Sequence, residues 1–551
     1  MPVRRGIPDS IESALLSTAI AADPVTTVGH GPSRTYTQSR AIRRGNCEQI
    51  SNFSDEETMG SLDFSRCTRN SSESAVGRHL GCLGDLGSIS RPSSGADCFG
   101  EQAQRAEAGF RSPRFRRAPP ALSRRHFVIA GCAAGLAVPF LVPSHVLAGP
   151  NQPGANERIG VGYVGVGRRG LQLMGLPKEG RIVAVCDVNL MRAESVAKAR
   201  NCRAYQDYRK LLDAKDIDAV IIATPDHWHA LPSIHACQAG KDVYTEKPLS
   251  LTIREGRLMV EAARKYGRVF QTGSQRRSMK HHRLGCQLVR AGRIGKVLTV
   301  IAHNYPSPWD CGLPGQPVPK GLLWDVWCGQ TEVRAYHSDI YIPRGMPGWI
   351  SFAPYSGGEM TGNGSHGLDQ VQWALGTDDT GPVEIWPERN EPLKPPLYTA
   401  PESRARGDRL CSQNRVLFRY ANGVVVKLDN GPVAGAIFLG EKGKVVVDSD
   451  HFTCEPAGLG DEPLRAADPR LEVSDDHLQN WFQCIKSRKR PIADVEIGHR
   501  SAVICHLCNI ARWLGRRLRW DPRQEIFPDD AEANRFLSRP QRRPYQLPEQ
   551  L

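Results

Sequence analysis

The sequence predicts an α/β protein built on a doubly wound parallel sheet, with a second, strand-containing domain behind it. Three observations carry this. A short apolar run, Ile159 to Val164, leads straight into Gly165-x-Gly167-x-x-Gly170. Apolar strand-like runs then alternate with helical stretches as far as Thr272. Beyond Val297 the pattern changes to strand composition broken by turn signals, of which Asn422-Gly423 is the clearest.

The first strand and its glycines belong together. The glycines permit a tight turn and a close approach of backbone to a pyrophosphate, which sits where the following helix begins. The second apolar strand, Arg181 to Cys186, ends in Asp187, seventeen residues after the last glycine. A carboxylate there accepts hydrogen bonds from both hydroxyls of an adenosine ribose and repels a 2′-phosphate. NAD is therefore favoured over NADP, with Arg192 nearby keeping NADP open. A lone G-x-G-x-x-G is weak. One that follows a strand, opens a helix and is answered by an acid at the end of the next strand is strong.

The alternation continues with a strand at Ile217 to Ala223, a helix at His229 to Ala239 and a strand at Asp242 to Thr245. A helix at Ile253 to Tyr266 and a strand at Val269 to Thr272 complete it. Ligands of such sheets sit outside the carboxyl ends of the strands. Two motifs fall there: Ala223-Thr224-Pro225-Asp226-His227-Trp228-His229 and Glu246-Lys247-Pro248. Farther on, Val297 to His303, Val416 to Asp429 and Lys444 to Val447 have strand composition.

These residues resemble the Gfo/Idh/MocA family (glucose–fructose oxidoreductase, inositol dehydrogenase and relatives). The resemblance rests on Gly165 to Gly170, Asp187, Ala223 to His229 and Glu246-Lys247-Pro248. It runs through Trp324 to Trp327 and Gly358 to Gly376 and reaches Arg488 to Asp494. It implies a Rossmann domain over 155–274 and, over 275–551, an α+β domain with an open, mainly antiparallel sheet. The substrate, a sugar or polyol, would lie between that sheet and the nicotinamide of NAD or NADP, and the sheet would support a homo-oligomer. Gly165, Gly167, Arg168, Arg169, Gly170, Asp187, Thr224, Pro225, His229, Glu246 and Lys247 would bind the cofactor. The reaction implied is hydride transfer between a secondary alcohol carbon and the nicotinamide.

Oxidising a secondary alcohol needs a group that takes the hydroxyl proton as hydride leaves. Lys247 is the first candidate, since a lysine desolvated beside a cationic nicotinamide has a lowered pKa. Its bland alternative is a surface lysine paired with Glu246. His366 stands where the family places its proton-relay histidine, in a Gly-rich turn before the apolar helix Leu368 to Leu375. The alternative there is a helix-capping histidine. Asp369 is within helical reach and would either orient His366 or face solvent. His227 and Trp228 would shape the pocket.

One departure matters. Inositol-dehydrogenase-like members carry an acid four residues before the histidine, where this chain has Gly362 with Asn363 beside it. Glu359 or Asp369 would have to replace it. The His366-Gly367-Leu368 turn also looks like that of the NAD-dependent glycosidases of the same family, which oxidise a sugar transiently, eliminate, add water and reduce again. A catalytically idle sugar-binding protein is a third reading.

Composition limits the remaining classes. With 551 residues, 40% hydrophobic and 24% charged, the chain has the make-up of a soluble globular protein. Its net charge of +14 comes from scattered basic residues, and the densest runs lack the interleaved aromatics of a nucleic-acid platform. Of its 16 cysteines, Cys505 and Cys508 alone have C-x-x-C spacing, within an apolar helical pattern that reads as buried packing. His281, His282 and the Trp324 region resemble metal or sugar sites, but no ligand spacing supports a metal.

Residues 122–148 have the layout of a twin-arginine export signal. Arg124 and Arg125 precede a moderately apolar run that ends in small residues at Ala148. That run is too short and too rich in Gly and Ala for a stable membrane span, although an uncleaved signal would tether the protein. The expected location is periplasmic. Residues 1–121, without lysine or hydrophobic periodicity, read as a disordered arm or as sequence upstream of the true start codon.

Overall fold

The computed structural model describes Gly154 and residues 157–341, 348–399, 413–461 and 463–551; residues 1–121 and the segment 122–148 lie outside them. The first sheet contains β1 (Ile159–Val164), β2 (Gly180–Cys186), β3 (Arg203–Tyr205), β4 (Ala219–Ile222), β5 (Asp242–Thr245) and β6 (Phe270–Thr272). All pairings are parallel and the order is β3-β2-β1-β4-β5-β6. β1 and β4 are buried throughout, which is why they read as unbroken apolar runs. The strand order reverses at β1 and β4, so the crevice beyond their carboxyl ends is where this fold places a ligand.

The second domain contributes β7 (Val297–His303), β8 (Asp310–Cys311), β9 (Glu384–Pro387), β10 (Leu397–Tyr398), β11 (Val416–Arg419) and β12 (Val425–Asp429). It continues with β13 (Ala436–Gly440), β14 (Gly443–Val447), β15 (Phe452–Glu455) and β16 (Leu518–Arg519). Eight of these form a sheet in the order β15-β14-β13-β7-β12-β11-β9-β16, antiparallel except where β7 meets β12. β11 and β12 are the hairpin expected at Asn422-Gly423, and Gly423 takes the positive φ of 89° that the turn needs. Side chains alternate along the strands. Val300, Ala302, Phe418, Val426, Phe438 and Val445 are buried against the helices Lys280–Arg290, Gly364–Leu375 and Val495–Leu514.

The two domains share their C-terminal helices. Trp481, Phe482, Cys484 and Ile485, on the helix His477–Ser487, pack with Val161 and Tyr163 of β1 beneath the first sheet. A side chain at Gly180 would stand 2.7 Å from the Phe482 ring. The helix Val495–Leu514 gives Val495 and Ala502 to the core of the first domain and Val503 to Ala511 to that of the second. Its Cys505 and Cys508 are free and fully buried, as the apolar pattern implied.

The segment around His366 differs from the expected turn. It is helical from Glu359 to Gly362 and again from Gly364 to Leu375, so His366 lies in the first turn of a helix. Close packing keeps glycines here: a Cβ at Gly358, where φ is 76°, would meet the Pro308 nitrogen at 2.6 Å.

Candidate active site

The glycine loop fits a dinucleotide. Gly165 has φ of 85°, and a Cβ there would stand 2.9 Å from the Ala223 backbone. A Cβ at Gly170 would lie 2.3 Å from the Gly165 carbonyl, so these two glycines close the turn onto β1 and β4. Gly167 has nothing within 4 Å of such an atom, which leaves open space at the centre of the loop. Beside Gly165 the Thr224 hydroxyl is buried with no hydrogen-bond partner. A buried, unsatisfied hydroxyl next to the loop calls for a polar partner, which a ligand group could supply.

Asp187, at the end of β2, is buried and accepts from the backbone N–H groups of Val166 at 3.1 Å and Asn189 at 2.9 Å. It thereby ties the glycine loop to the strand end. Arg192 approaches the carboxylate to 3.5 Å, with its guanidinium over the Tyr341 ring. Arg168 is exposed at the loop's edge, whereas Arg169 turns inward and its Nε donates to Glu246 at 2.9 Å.

Glu246 explains half of the E-K-P motif. Its carboxylate also accepts from Gln275 at 2.7 Å, and a Cβ at Gly273 would crowd the carboxyl carbon at 2.8 Å. Lys247 is therefore not the surface partner of Glu246. Its ammonium donates to the Gly362 carbonyl at 3.0 Å, one helical turn before His366. Pro248 is held from the other side. The ring nitrogens of His229 face the carbonyl oxygens of Pro248 at 2.7 Å and Thr224 at 3.0 Å, bracing the two strand-end motifs together. Pro225 starts the 3-10 turn Asp226–Trp228, in which His227 and Trp228 reach the carbonyls of Val326 and Trp327. Burial holds His227 down to about 4, so it is a neutral brace.

Asp369 neither orients His366 nor faces solvent. It is fully buried and receives Arg277 Nε at 2.9 and 3.0 Å and the Ser501 hydroxyl at 2.9 Å. Arg277 takes a second carboxylate, Asp378, at 2.7 Å. Burial opposes a charge there, but the two carboxylates outweigh it and keep the guanidinium protonated. Glu359 is different: its Oε2 lies 3.2 Å from where a Cβ on Gly362 would stand. A carboxylate thus occupies the neighbourhood that the missing acid would enter from Gly362. Ser365, not anticipated from the sequence, also donates to the Gly362 carbonyl at 3.1 Å.

The aromatic cluster around Trp324 serves packing. Trp324 and Trp327 stack at 4.5 Å inside a buried cluster with Tyr336 and Tyr355. Among the described residues no group of three or more His, Cys, Asp or Glu is placed to hold a metal ion, and no helix is long and apolar enough to cross a membrane.

Matches to family models agree with this architecture. The family described as "Oxidoreductase family, NAD-binding Rossmann fold" matches residues 159–274, and its C-terminal alpha/beta domain matches residues 294–547. A 2,7-anhydro-N-acetylneuraminate hydratase of Mediterraneibacter gnavus is 32% identical over 157 residues, which is 28% of this chain and 41% of that protein. An inositol 2-dehydrogenase of Rubrobacter xylanophilus is 27% identical over 307 residues, 52% of this chain and 85% of that protein. Among solved structures, an aldose-aldose oxidoreductase from Caulobacter crescentus is 18% identical and superposes with a TM-score of 0.45, covering 66% of this chain and 99% of that one. The Rossmann domain is an NAD(P)-binding domain, and its glycine turn, Asp187 and E-K-P motif stand at the carboxyl ends of β1, β2 and β5. With both of its domains matched in order, the chain belongs to the Gfo/Idh/MocA family of oxidoreductases.

Proposed function

We propose that the protein is an NAD-dependent oxidoreductase of a sugar or polyol, transferring hydride between a secondary alcohol carbon and the nicotinamide. The observation that carries this reading is the seat of Lys247. Its ammonium is part-buried at the carboxyl end of β5 and hydrogen-bonded to Gly362, one turn before His366. The cofactor, when bound, supplies the hydride acceptor or donor; the chain's residues supply everything else. Lys247 holds the substrate hydroxyl and takes or returns its proton at Nζ, and His366 exchanges that proton with solvent. Glu359 takes the part of the acid missing at position 362. Asp187 selects NAD through the ribose hydroxyls, and Arg169, Glu246 and Gln275 fix the loop that presents Lys247.

A second reading is favoured by Gly362 together with the similarity to a hydratase. Transient oxidation, elimination, addition of water and return of the hydride from the reduced cofactor to the same carbon would recycle the cofactor. That cycle suits a protein we propose to be exported by the twin-arginine segment at 122–148, or tethered by it, into a compartment without free NAD. The open sheet is proposed to pair copies of the chain as a homo-oligomer.

Lys247→Met distinguishes a catalytic from a structural lysine. We expect turnover to drop by about a thousand-fold or more, with the fold retained and any loss of NADH affinity far smaller than the loss of turnover. Unchanged turnover would sink the proposed role. Net accumulation of reduced nicotinamide in the unmodified enzyme identifies a dehydrogenase, and substrate cleavage or hydration without it identifies the redox cycle.

A further inference from the structure

Two adjacent arginines on the 3-10 turn Gln275–Ser278 have opposite fates. Arg277 is neutralised by two carboxylates. Arg276 has none. Its NH1 donates to the Nε2 of His282 at 2.8 Å, and its Nε is buried with no partner. His282 is itself neutral, held down to about 3 by burial first and by Arg276 second. Among the described residues no carboxylate lies within 4.0 Å of the Arg276 guanidinium. The nearby acids that act on it are Asp448 and Asp450. Asp448 is committed to the backbone N–H groups of Asp450 and His451, and Asp450 is exposed. A largely desolvated cation with only a neutral partner is costly unless an anion completes it.

The position says which anion. The neighbouring Gln275 donates to Glu246 at 2.7 Å, so the turn rests on the E-K-P motif. On the other side His282 lies beside the Gln370 amide, one helical turn beyond His366 and on the same face of that helix. Tyr305, which also acts on Arg276, has its ring 3.6 Å from where a Cβ on Gly364 would stand, at the start of that helix. Arg276 is thus bracketed by the segments carrying Lys247 and His366, at the substrate end of the crevice. The adenosine end, at Asp187, lies across the sheet at β2, beyond β5, β4 and β1.

We propose that Arg276 receives an anionic group of the substrate, a carboxylate or a phosphate on the sugar, and that the protein acts on acidic sugars in preference to neutral ones. This rests on the oxidoreductase reading of the same site. A guanidinium offers a planar pair of N–H donors that matches either oxyanion, and its charge discriminates against an uncharged hydroxymethyl in the same position.

The test is a binding series on the full chain saturated with NADH, followed calorimetrically. Glucose, galactose and mannose are each compared with the corresponding hexuronate and hexose 6-phosphate. We expect at least one acid to bind about ten-fold or more tightly than its neutral parent. Which of the two binds separates carboxylate from phosphate. Arg276→Gln should abolish that advantage while leaving NADH affinity and melting temperature unchanged, and Arg276→Lys should retain part of it. If no acid binds more tightly than its neutral parent, or if the advantage survives in Arg276→Gln, the inference is overturned. Failure of the parent chain to bind NADH would instead sink the oxidoreductase reading, and this one with it.

Discussion

At the end of β2, Asp187 sits between two demands. Its carboxylate holds the Val166 amide of the glycine loop and at the same time restrains Arg192 at 3.5 Å. Replacing it with serine keeps an acceptor for the loop, removes the charge that repels a 2′-phosphate and releases Arg192. We therefore expect Asp187→Ser to weaken NADH about ten-fold and to tighten NADPH, read by fluorescence titration of both. A variant whose preference does not move would show that selectivity lies elsewhere. The placement of such residues at strand ends was legible in the sequence because short motifs fix it: Asp187 by its distance from the glycines, Lys247 by E-K-P. Asp369 was not legible. Its partner Arg277 is 92 residues away, and helical spacing pointed to His366 instead. Arg276 and Arg277 look alike in sequence, and only the tertiary pairing separates a neutralised cation from a bare one.

The elements around the site were legible to different depths. Buried parallel strands announce themselves as apolar runs, and β1, β2, β4 and β5 were found within a few residues. β3 was not read from the sequence, because its Arg203 is exposed and no apolar run marks it. The glycines from Gly357 to Gly367 suggested a turn, yet close contacts rather than chain reversal require them, and the helix runs through. The helix Val495–Leu514 depends on Asp494, which accepts from Glu496 N–H at 3.1 Å and pairs with Arg264 NH1 at 3.1 Å. Asp494→Ala removes the cap and the ion pair together, and should cost about 2 kcal/mol in urea unfolding. Asp494→Asn keeps a capping oxygen and should cost less. Equal losses in the two variants would assign the whole effect to the ion pair.

Over the whole molecule, buried histidines set the response to acid. Burial holds His227 and His477 down to about 4, and His282 and His506 to about 3. Their ordinary value is 6.5, so between that pH and their folded values the unfolded chain binds the extra protons. Stability present at neutral pH is therefore lost as pH falls below about 6.5. Glu255 and Asp369 work the other way, their carboxyls pushed up by burial, that of Glu255 to about 7, but they are two groups against six, because burial also lowers His235 and His499. Lowering the pH from 7 to 5 should reduce stability by several kcal/mol, at most about 2 kcal/mol for each histidine. A melting temperature that is flat or rising over that range would contradict this balance.

The helix His477–Ser487 has a consequence for the order in which the protein can be completed. Every residue of the glycine loop has left the ribosome long before Trp481 and Phe482, which form the layer beneath β1. Between them comes the entire eight-stranded sheet except its last strand, β16. A nascent chain ending at residue 274 thus carries the nucleotide motifs on a sheet with one face only partly covered, by Leu173, Met174 and Ala197. The nucleotide domain is discontinuous, finished by the tail of its neighbour. A chain that stops before residue 477 therefore lacks Trp481, Phe482, Cys484 and Ile485 from the core beneath its glycine loop.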